Sequence, residues 1–259
     1  LVVLGTTGEN PTVTHYERRL LVDAALEQAN GRVPVVVGTG TNSTEESVAF
    51  SVEAERAGAD GLLVVGPYYN KPSQEGFRAH VEAIAERTDR PIVLYNVPGR
   101  TSFNIAPETV LALAEAVPSV AGVKEASGDL AQISDILAHR PGSLAVYAGD
   151  DEMAFPVVAL GGDGVISVVS NAVPGPYSGM VRAALRGDVD AARERHFDLL
   201  PAMRACFFTT NPVPIKMVLA AQGYMEEHVR LPLALPPADA PVRRRVLNAF
   251  APHLDVAVG

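Results

Sequence analysis

The chain is 259 residues long, 47% hydrophobic and 20% charged, with 21 Lys+Arg against 30 Asp+Glu and a formal net charge of −9. That apolar share belongs to a folding globular chain rather than a disordered one, and no apolar run approaches the roughly 18 residues that a membrane helix needs. The acidic surplus argues against a general nucleic-acid or anionic-membrane surface, so an anionic substrate must be drawn in by local Arg or Lys.

The chain opens on Leu1-Val2-Val3-Leu4 without a Met or a lead-in. We read this as a chain lacking its true beginning; the first residues carry no basic region or small-residue cleavage site of a secretory signal. Short, nearly continuous apolar runs follow at 1–5, 33–38, 61–65, 91–95, 120–124, 144–148 and 164–169, with starts 20 to 32 residues apart. That spacing is the size of a βα unit, and the continuous apolarity suits strands buried on both faces of a parallel sheet.

Between these runs lie helix signals. Thr14-x-x-Glu17 and Ser43-x-x-Glu46 have the capping-box pattern, Pro107 suits a first helical turn, and Gly58 suits a helix C-terminus. Apolar residues recur at helical spacing at Phe77, Val81 and Ile84, at Val110, Leu113 and Val117, and at Ile133, Ile136 and Leu137. From Pro174 onward the pattern is helical, with loops near 231–237. The lone cysteine, Cys206, excludes an internal disulfide, fits a reducing cytoplasm, and lies in a helix-like stretch over 199–208 where packing is the expected role.

Such alternation leaves an open doubly wound sheet or a closed (β/α)8 TIM barrel. The open sheet wants a glycine fingerprint, and Gly38-Thr39-Gly40-Thr41-Asn42-Ser43 supplies only half of one, with Ser43 in place of the third glycine. A nucleotide-binding module rests on that turn alone. The barrel is favoured, with its first βα unit missing from this chain: residues 1–173 would hold units two to eight, and 174–259 the last barrel helix and a C-terminal helical region.

In a barrel of this kind catalytic groups sit where strands end. The first run ends in Gly5-Thr6-Thr7-Gly8-Glu9, a turn rich in hydroxyls and N–H groups that can hold a carboxylate or phosphate, or serve as an ordinary connection. The third ends in Pro67-Tyr68-Tyr69-Asn70-Lys71-Pro72, a loop that packing or an interface would also explain. The fourth ends in Tyr95-Asn96-Val97-Pro98-Gly99-Arg100-Thr101, placing a phenol at the strand end and a carboxylate-gripping guanidinium beyond it. The fifth buries Lys124 inside an apolar strand, either as a structural ion pair with Glu125 or Glu9, or as an amine disposed to attack a carbonyl. Tyrosine, arginine and the threonine turn on the same rim favour a Schiff-base lysine. The six histidines show no metal-ligand spacing.

Taken together, GTTGE at 5–9, PYYNKPSQEG at 67–76, YNVPGRT at 95–101, GVKEASG at 122–128, GDD at 149–151 and GVISV at 164–168 resemble the dihydrodipicolinate synthase family, within the class I aldolase superfamily of N-acetylneuraminate lyase. The resemblance runs from residue 1 to about residue 235 and departs at the start, where the family's first strand and helix have no counterpart. It implies a cytoplasmic enzyme, a homotetramer built as a dimer of dimers, that condenses pyruvate with L-aspartate 4-semialdehyde and needs no cofactor. Lys124 would form the imine. Tyr95, Thr7 and Tyr69 would make a proton relay, Tyr69 reaching a neighbouring subunit's site. Thr6 and Thr7 would hold the pyruvate carboxylate, Arg100 that of the second substrate, and Gly149 and Ile166 would line the pocket.

In lysine-inhibited members the effector positions match Asn10, His15, Asn42, Glu46 and Tyr68, with Arg18 where the family has a second histidine. A hydrated interface cavity without a ligand is the competing expectation for those residues. The closest alternative activity is another pyruvate-dependent aldolase or lyase of the superfamily, for neuraminate or a keto-deoxy-sugar acid. An alternative of another class is a non-catalytic truncated homologue.

Overall fold

The computed structural model describes residues 1–254. Contacts within the chain group it into two compact units, one of 1–149 with 160–163 and the other of 150–159 with 164–259. The last five residues of the expected C-terminal helical region, 255–259, lie outside the described residues.

The architecture is α/β, and the sheet has seven strands in chain order. They are β1 (Val2–Val3), β2 (Val36–Gly38), β3 (Gly61–Val65), β4 (Ile92–Asn96), β5 (Val120–Glu125), β6 (Ala145–Ala148) and β7 (Gly164–Val165). Each neighbouring pair from β1 to β6 is parallel. All seven expected runs contain a strand, but the first two and the last are much shorter than their apolar stretches. In the last, the chain turns from β7 into a 3-10 turn at Val169–Asn171. Between β4 and β5 the register shifts: Ile92 pairs with Val120 and Val93 with Gly122, so that Ala121 has no partner.

Helices of the first unit are α1 (His15–Ala29), α2 (Thr44–Ala57), α3 (Gln74–Ala85), α4 (Pro98–Thr101), α5 (Pro107–Ala116) and α6 (Leu130–His139). The second unit holds α7 (Ala154–Ala159), α8 (Pro174–Leu185), α9 (Val189–Ala205), α10 (Val213–Ala221) and α11 (Pro241–Phe250). Thr14 and Glu17 form the full capping box expected at α1. At α2 Ser43 accepts from the Glu46 N–H, which is half of one. Pro107 opens α5, and Gly58 ends α2 at φ 101°, a left-handed conformation that costs glycine nothing.

The core of the first unit joins β-strand residues Val37, Leu62, Val64, Ile92, Leu94, Val123 and Val146 to helix residues Phe77, Val81, Ile84, Val110, Leu113 and Ile136. The second unit buries Tyr177, Met180, Leu199, Met203, Val218 and Phe250. Cys206 is fully buried at the end of α9, and burial pushes its thiol up, away from the reactive thiolate. That is the packing role expected for it.

The turn after β2 is explained by close packing. A Cβ on Gly38 would lie 2.1 Å from the Leu4 carbonyl oxygen, and one on Gly40 2.4 Å from the Val65 nitrogen. Thr39, Thr41, Ser47 and Ser51 are buried around it and bond one another, with Ser51 Oγ 3.0 Å from Thr39 Oγ1 and Thr41 N donating to Ser47 Oγ at 2.8 Å. These glycines admit neighbouring backbone.

Candidate active site

Four strand ends of the first unit converge on one cavity of about 220 Å³, whose walls include Thr6, Asn10, Gly40, Tyr68, Tyr95 and Arg100. After β1 the chain does not run directly into a helix. Two 3-10 turns, Thr6–Gly8 and Asn10–Thr12, come first, joined at Glu9, which is buried in a left-handed conformation. Thr6 and Thr7 therefore sit in a tight turn at the β1 end, where the Gly5 carbonyl accepts from the Gly8 N–H.

Tyr95 comes up from β4 and Lys124 from β5, directly paired in the ladder. Lys124 Nζ lies 4.1 Å from the centroid of the Tyr95 ring, a cation–π distance, and the lysine is only 8% exposed. Glu125 faces the other way, as adjacent residues of a strand must. Its carboxylate accepts from Asn96 Nδ2, Gln132 Nε2 and the Ser127 N–H. These partners occupy the Glu125 carboxylate and leave it on the face of the sheet away from Lys124, against an ion pair between the two.

Gly149, after β6, leaves room for the lysine stem: a Cβ there would lie 3.1 Å from Lys124 Cγ and Cε and 2.5 Å from the Ala126 methyl. The chain after Tyr95 forms the single helical turn α4, opened by Pro98 and closed by Thr101, whose hydroxyl donates to the Phe103 carbonyl at 2.8 Å. Arg100 stands on this turn at the cavity wall.

The sequence profile of the "Dihydrodipicolinate synthetase family" matches residues 1–246. The chain belongs to that family. A 4-hydroxy-tetrahydrodipicolinate synthase of Salinibacter ruber is 68% identical over 100% of this chain and 85% of its own length. A solved monomeric dihydrodipicolinate synthase variant is 43% identical with a TM-score of 0.95, over 98% of this chain and 86% of that one. A dihydrodipicolinate synthase of Cyanidioschyzon merolae solved with lysine bound is 37% identical with a TM-score of 0.92, over 96% of this chain and 84% of that one.

Of the residues that the family resemblance singled out, Thr6, Tyr95 and Arg100 reach the cavity, Lys124 lies against Tyr95, and Gly149 lies against Lys124. Thr7 adjoins Thr6 in the same turn. Tyr69 does not join them. It is 86% exposed at φ 72°, while its neighbour Tyr68 lines the cavity. Ile166 follows β7 in the second unit, just before a turn pinned by the buried Asp151, whose carboxylate accepts from the Val168 and Val169 N–H groups. Burial pushes that carboxyl above the usual carboxylate range.

The expected effector positions fall partly together. Asn10 and Tyr68 share the cavity, and the Asn42 carbonyl accepts from Asn70 at 2.8 Å. Burial, with Glu46 beside it, raises the Tyr68 phenol above its ordinary value. His15 lies 3.2 Å from Glu53, with its ring 5.7 Å from that of Phe50. Arg18 is buried among these residues: it donates to Asn10 Oδ1 and, at 2.8 Å, to the Gly38 carbonyl, and its guanidinium lies 3.9 Å from the Phe50 ring centroid. Sequence reasoning missed that inward course, because α1 is largely polar, and it missed the polar cluster around Glu125. For the latter a signal existed: Asn96 and Glu125 are polar residues ending otherwise apolar strands. Among the described residues no group of three or more His, Cys, Asp or Glu could hold a metal ion, and no helix is long and apolar enough to cross a membrane.

Proposed function

We propose that the chain is a Schiff-base enzyme that condenses pyruvate with L-aspartate 4-semialdehyde to 4-hydroxy-tetrahydrodipicolinate, the first committed step toward diaminopimelate and lysine. The observation that carries this reading is Lys124 Nζ, shielded from water and 4.1 Å from the Tyr95 ring centroid, beside a cavity that Thr6 and Arg100 line. The 68% identical relative named 4-hydroxy-tetrahydrodipicolinate synthase supports it.

In this reading Thr6 and Thr7 hold the pyruvate carboxylate with hydroxyl and backbone donors. The Lys124 nitrogen, acting through its lone pair, attacks the keto carbon and water leaves, giving the imine. Tyr95, with Thr7 and a neighbouring subunit's Tyr69, moves the protons of these steps and of enamine formation. The enamine carbon attacks the aldehyde of the second substrate, whose carboxylate Arg100 holds. That substrate's amino group then attacks the imine carbon, closing the ring and releasing Lys124. The protonated imine is the electron sink, so no further cofactor takes part.

The same reading extends to the whole protein. We place the strands in a (β/α)8 barrel, with the strand-bearing units within 1–173 and the last barrel helix and helical region in 174–259. Gly149 and Ile166 line its pocket. The enzyme works in the cytoplasm as a homotetramer. Asn10, His15, Asn42, Glu46 and Tyr68 are the counterpart of an effector position, which Arg18 fills in this chain.

Borohydride reduction in the presence of pyruvate, followed by mass spectrometry, tests the central step. The expected result is an adduct on Lys124 that Lys124→Arg abolishes, since a guanidinium stays protonated and cannot attack. An adduct on Lys71 or Lys216 instead refutes the assignment. Condensation assayed against sugar-acid cleavage separates this activity from the other aldolases of the superfamily.

A further inference from the structure

Behind the Tyr95–Lys124 pair, on the opposite face of the sheet, lies a second pair in the same ladder: Asn96 is matched to Glu125. Both are buried, at 0% and 1% exposure. Asn96 Nδ2 lies 3.1 and 3.0 Å from the two Glu125 oxygens. Gln132 Nε2 on α6 donates to the same carboxylate at 2.9 Å, and the Ser127 N–H at 2.7 Å. Asn104 closes the cluster, accepting from Asn96 at 2.9 Å and donating to Gln132 at 2.7 Å. Asn96 Oδ1 in turn accepts from the Ile105 N–H at 3.0 Å.

Burying a carboxylate costs free energy unless its lone pairs are satisfied, and an apolar pair in the same space would stabilise the sheet at least as well. The cluster's place is therefore informative. Two of its anchors are covalently next to a working group: Asn96 follows Tyr95 and Glu125 follows Lys124, while Asn104-Ile105 comes shortly after the turn that carries Arg100. A slip of β4 against β5 would break several of these bonds at once.

We propose that Asn96 and Glu125 are positioning residues, which hold the Lys124 amine and the Tyr95 phenol in register from the far face of the sheet. The proposal rests on the Schiff-base reading above. Pyruvate binding belongs to the Thr6-Thr7 turn, which the cluster does not touch, so its loss should slow imine formation and spare the KM for pyruvate.

The test is the rate of pyruvate–borohydride trapping, with kcat and KM, in wild type, Glu125→Gln, Asn96→Asp and the double variant, each checked for folding by circular dichroism. Glu125→Gln sets amide against amide, and Asn96→Asp sets carboxylate against carboxylate. Each folded single variant should trap pyruvate about tenfold more slowly or worse, with kcat falling alongside and KM little changed. The double variant exchanges donor and acceptor across the same gap and should recover most of the lost rate. If Glu125→Gln does not fold, Gln132→Met, which removes one donor from the cluster, should show the same slowing in milder form. Folded single variants that trap at the wild-type rate, or a double variant no better than the singles, overturn the proposal. No adduct in the wild type overturns the Schiff-base reading itself.

Discussion

Arg18 takes the partners that an effector would need. Its guanidinium holds Asn10 and the Gly38 carbonyl and covers Phe50, with Glu46 and Glu53 close enough to stabilise its charge. A lysine ligand bound here would have to displace a buried cation with a cation of its own. We expect millimolar L-lysine to leave the wild-type rate unchanged and Arg18→His to gain inhibition; inhibition of the wild type refutes the first expectation. Arg100 stands at the other end of the cavity, on its own helical turn. Arg100→Ala should remove a charged contact of about 1.5–3 kcal/mol, raising the KM for the semialdehyde on the order of ten- to hundredfold. Trapping with pyruvate should persist, and equal damage to both would contradict the division of roles. At this scale the sequence was legible where chemistry conflicts with surroundings. Lys124 stands out because an ammonium is foreign to an apolar strand. Arg18 did not, because an arginine on a polar helix looks solvated until the fold puts Phe50 beneath it. The tyrosine pair shows the same limit, since spacing alone does not say which of Tyr68 and Tyr69 turns inward.

Between elements, α2 and α3 meet at Thr44 and His80, where Thr44 Oγ1 lies 2.9 Å from His80 Nδ1. The other ring nitrogen is buried without a hydrogen-bond partner, and burial holds the imidazole below the usual histidine range. The unfolded chain therefore takes up the proton more readily. The stability tied to the neutral ring is complete above the unfolded value of about 6.5 and is lost as pH falls from there through the folded value. Denaturant unfolding at pH 7.5 and pH 5 should show this loss, and His80→Asn, which can keep the Thr44 bond without titrating, should show less of it. An equal loss in both proteins would assign it to other groups. Existence and order of elements were readable from the βα alternation, and the ends were not. Leu4 turns left-handed at φ 59°, and the apolar residues around it pack as coil, so hydrophobicity overstates β1. The Gly38–Ser43 turn shows a related limit: the same glycine spacing serves backbone crowding and phosphate binding.

For the whole molecule, Tyr69 is the residue that one chain leaves unexplained. Its backbone sits at φ 72°, a conformation that costs a bulky residue about 1–3 kcal/mol, and its ring stands in the open. Service to a neighbouring copy accounts for both. Tyr69→Phe should lower kcat while leaving the assembly seen by sedimentation intact, and dilution to monomers should abolish activity. Fully active monomers would refute this. An interface with a second copy would be legible in sequence only as two aromatics between prolines, because an interface lies in no single chain's pattern. A different consequence follows from Ala121, the residue of β5 without a partner on β4. Counted evenly from Val120, Val123 would stand opposite Tyr95, and Lys124 would sit on the far face. The one extra residue inverts the alternation, so that an amine and not a methyl-bearing side chain meets the phenol. Drawing Ala121 into the ladder opposite Val93 would be no small adjustment of a strand edge: it would leave every reactive residue in the sequence and turn the nucleophile to the wrong side of the sheet.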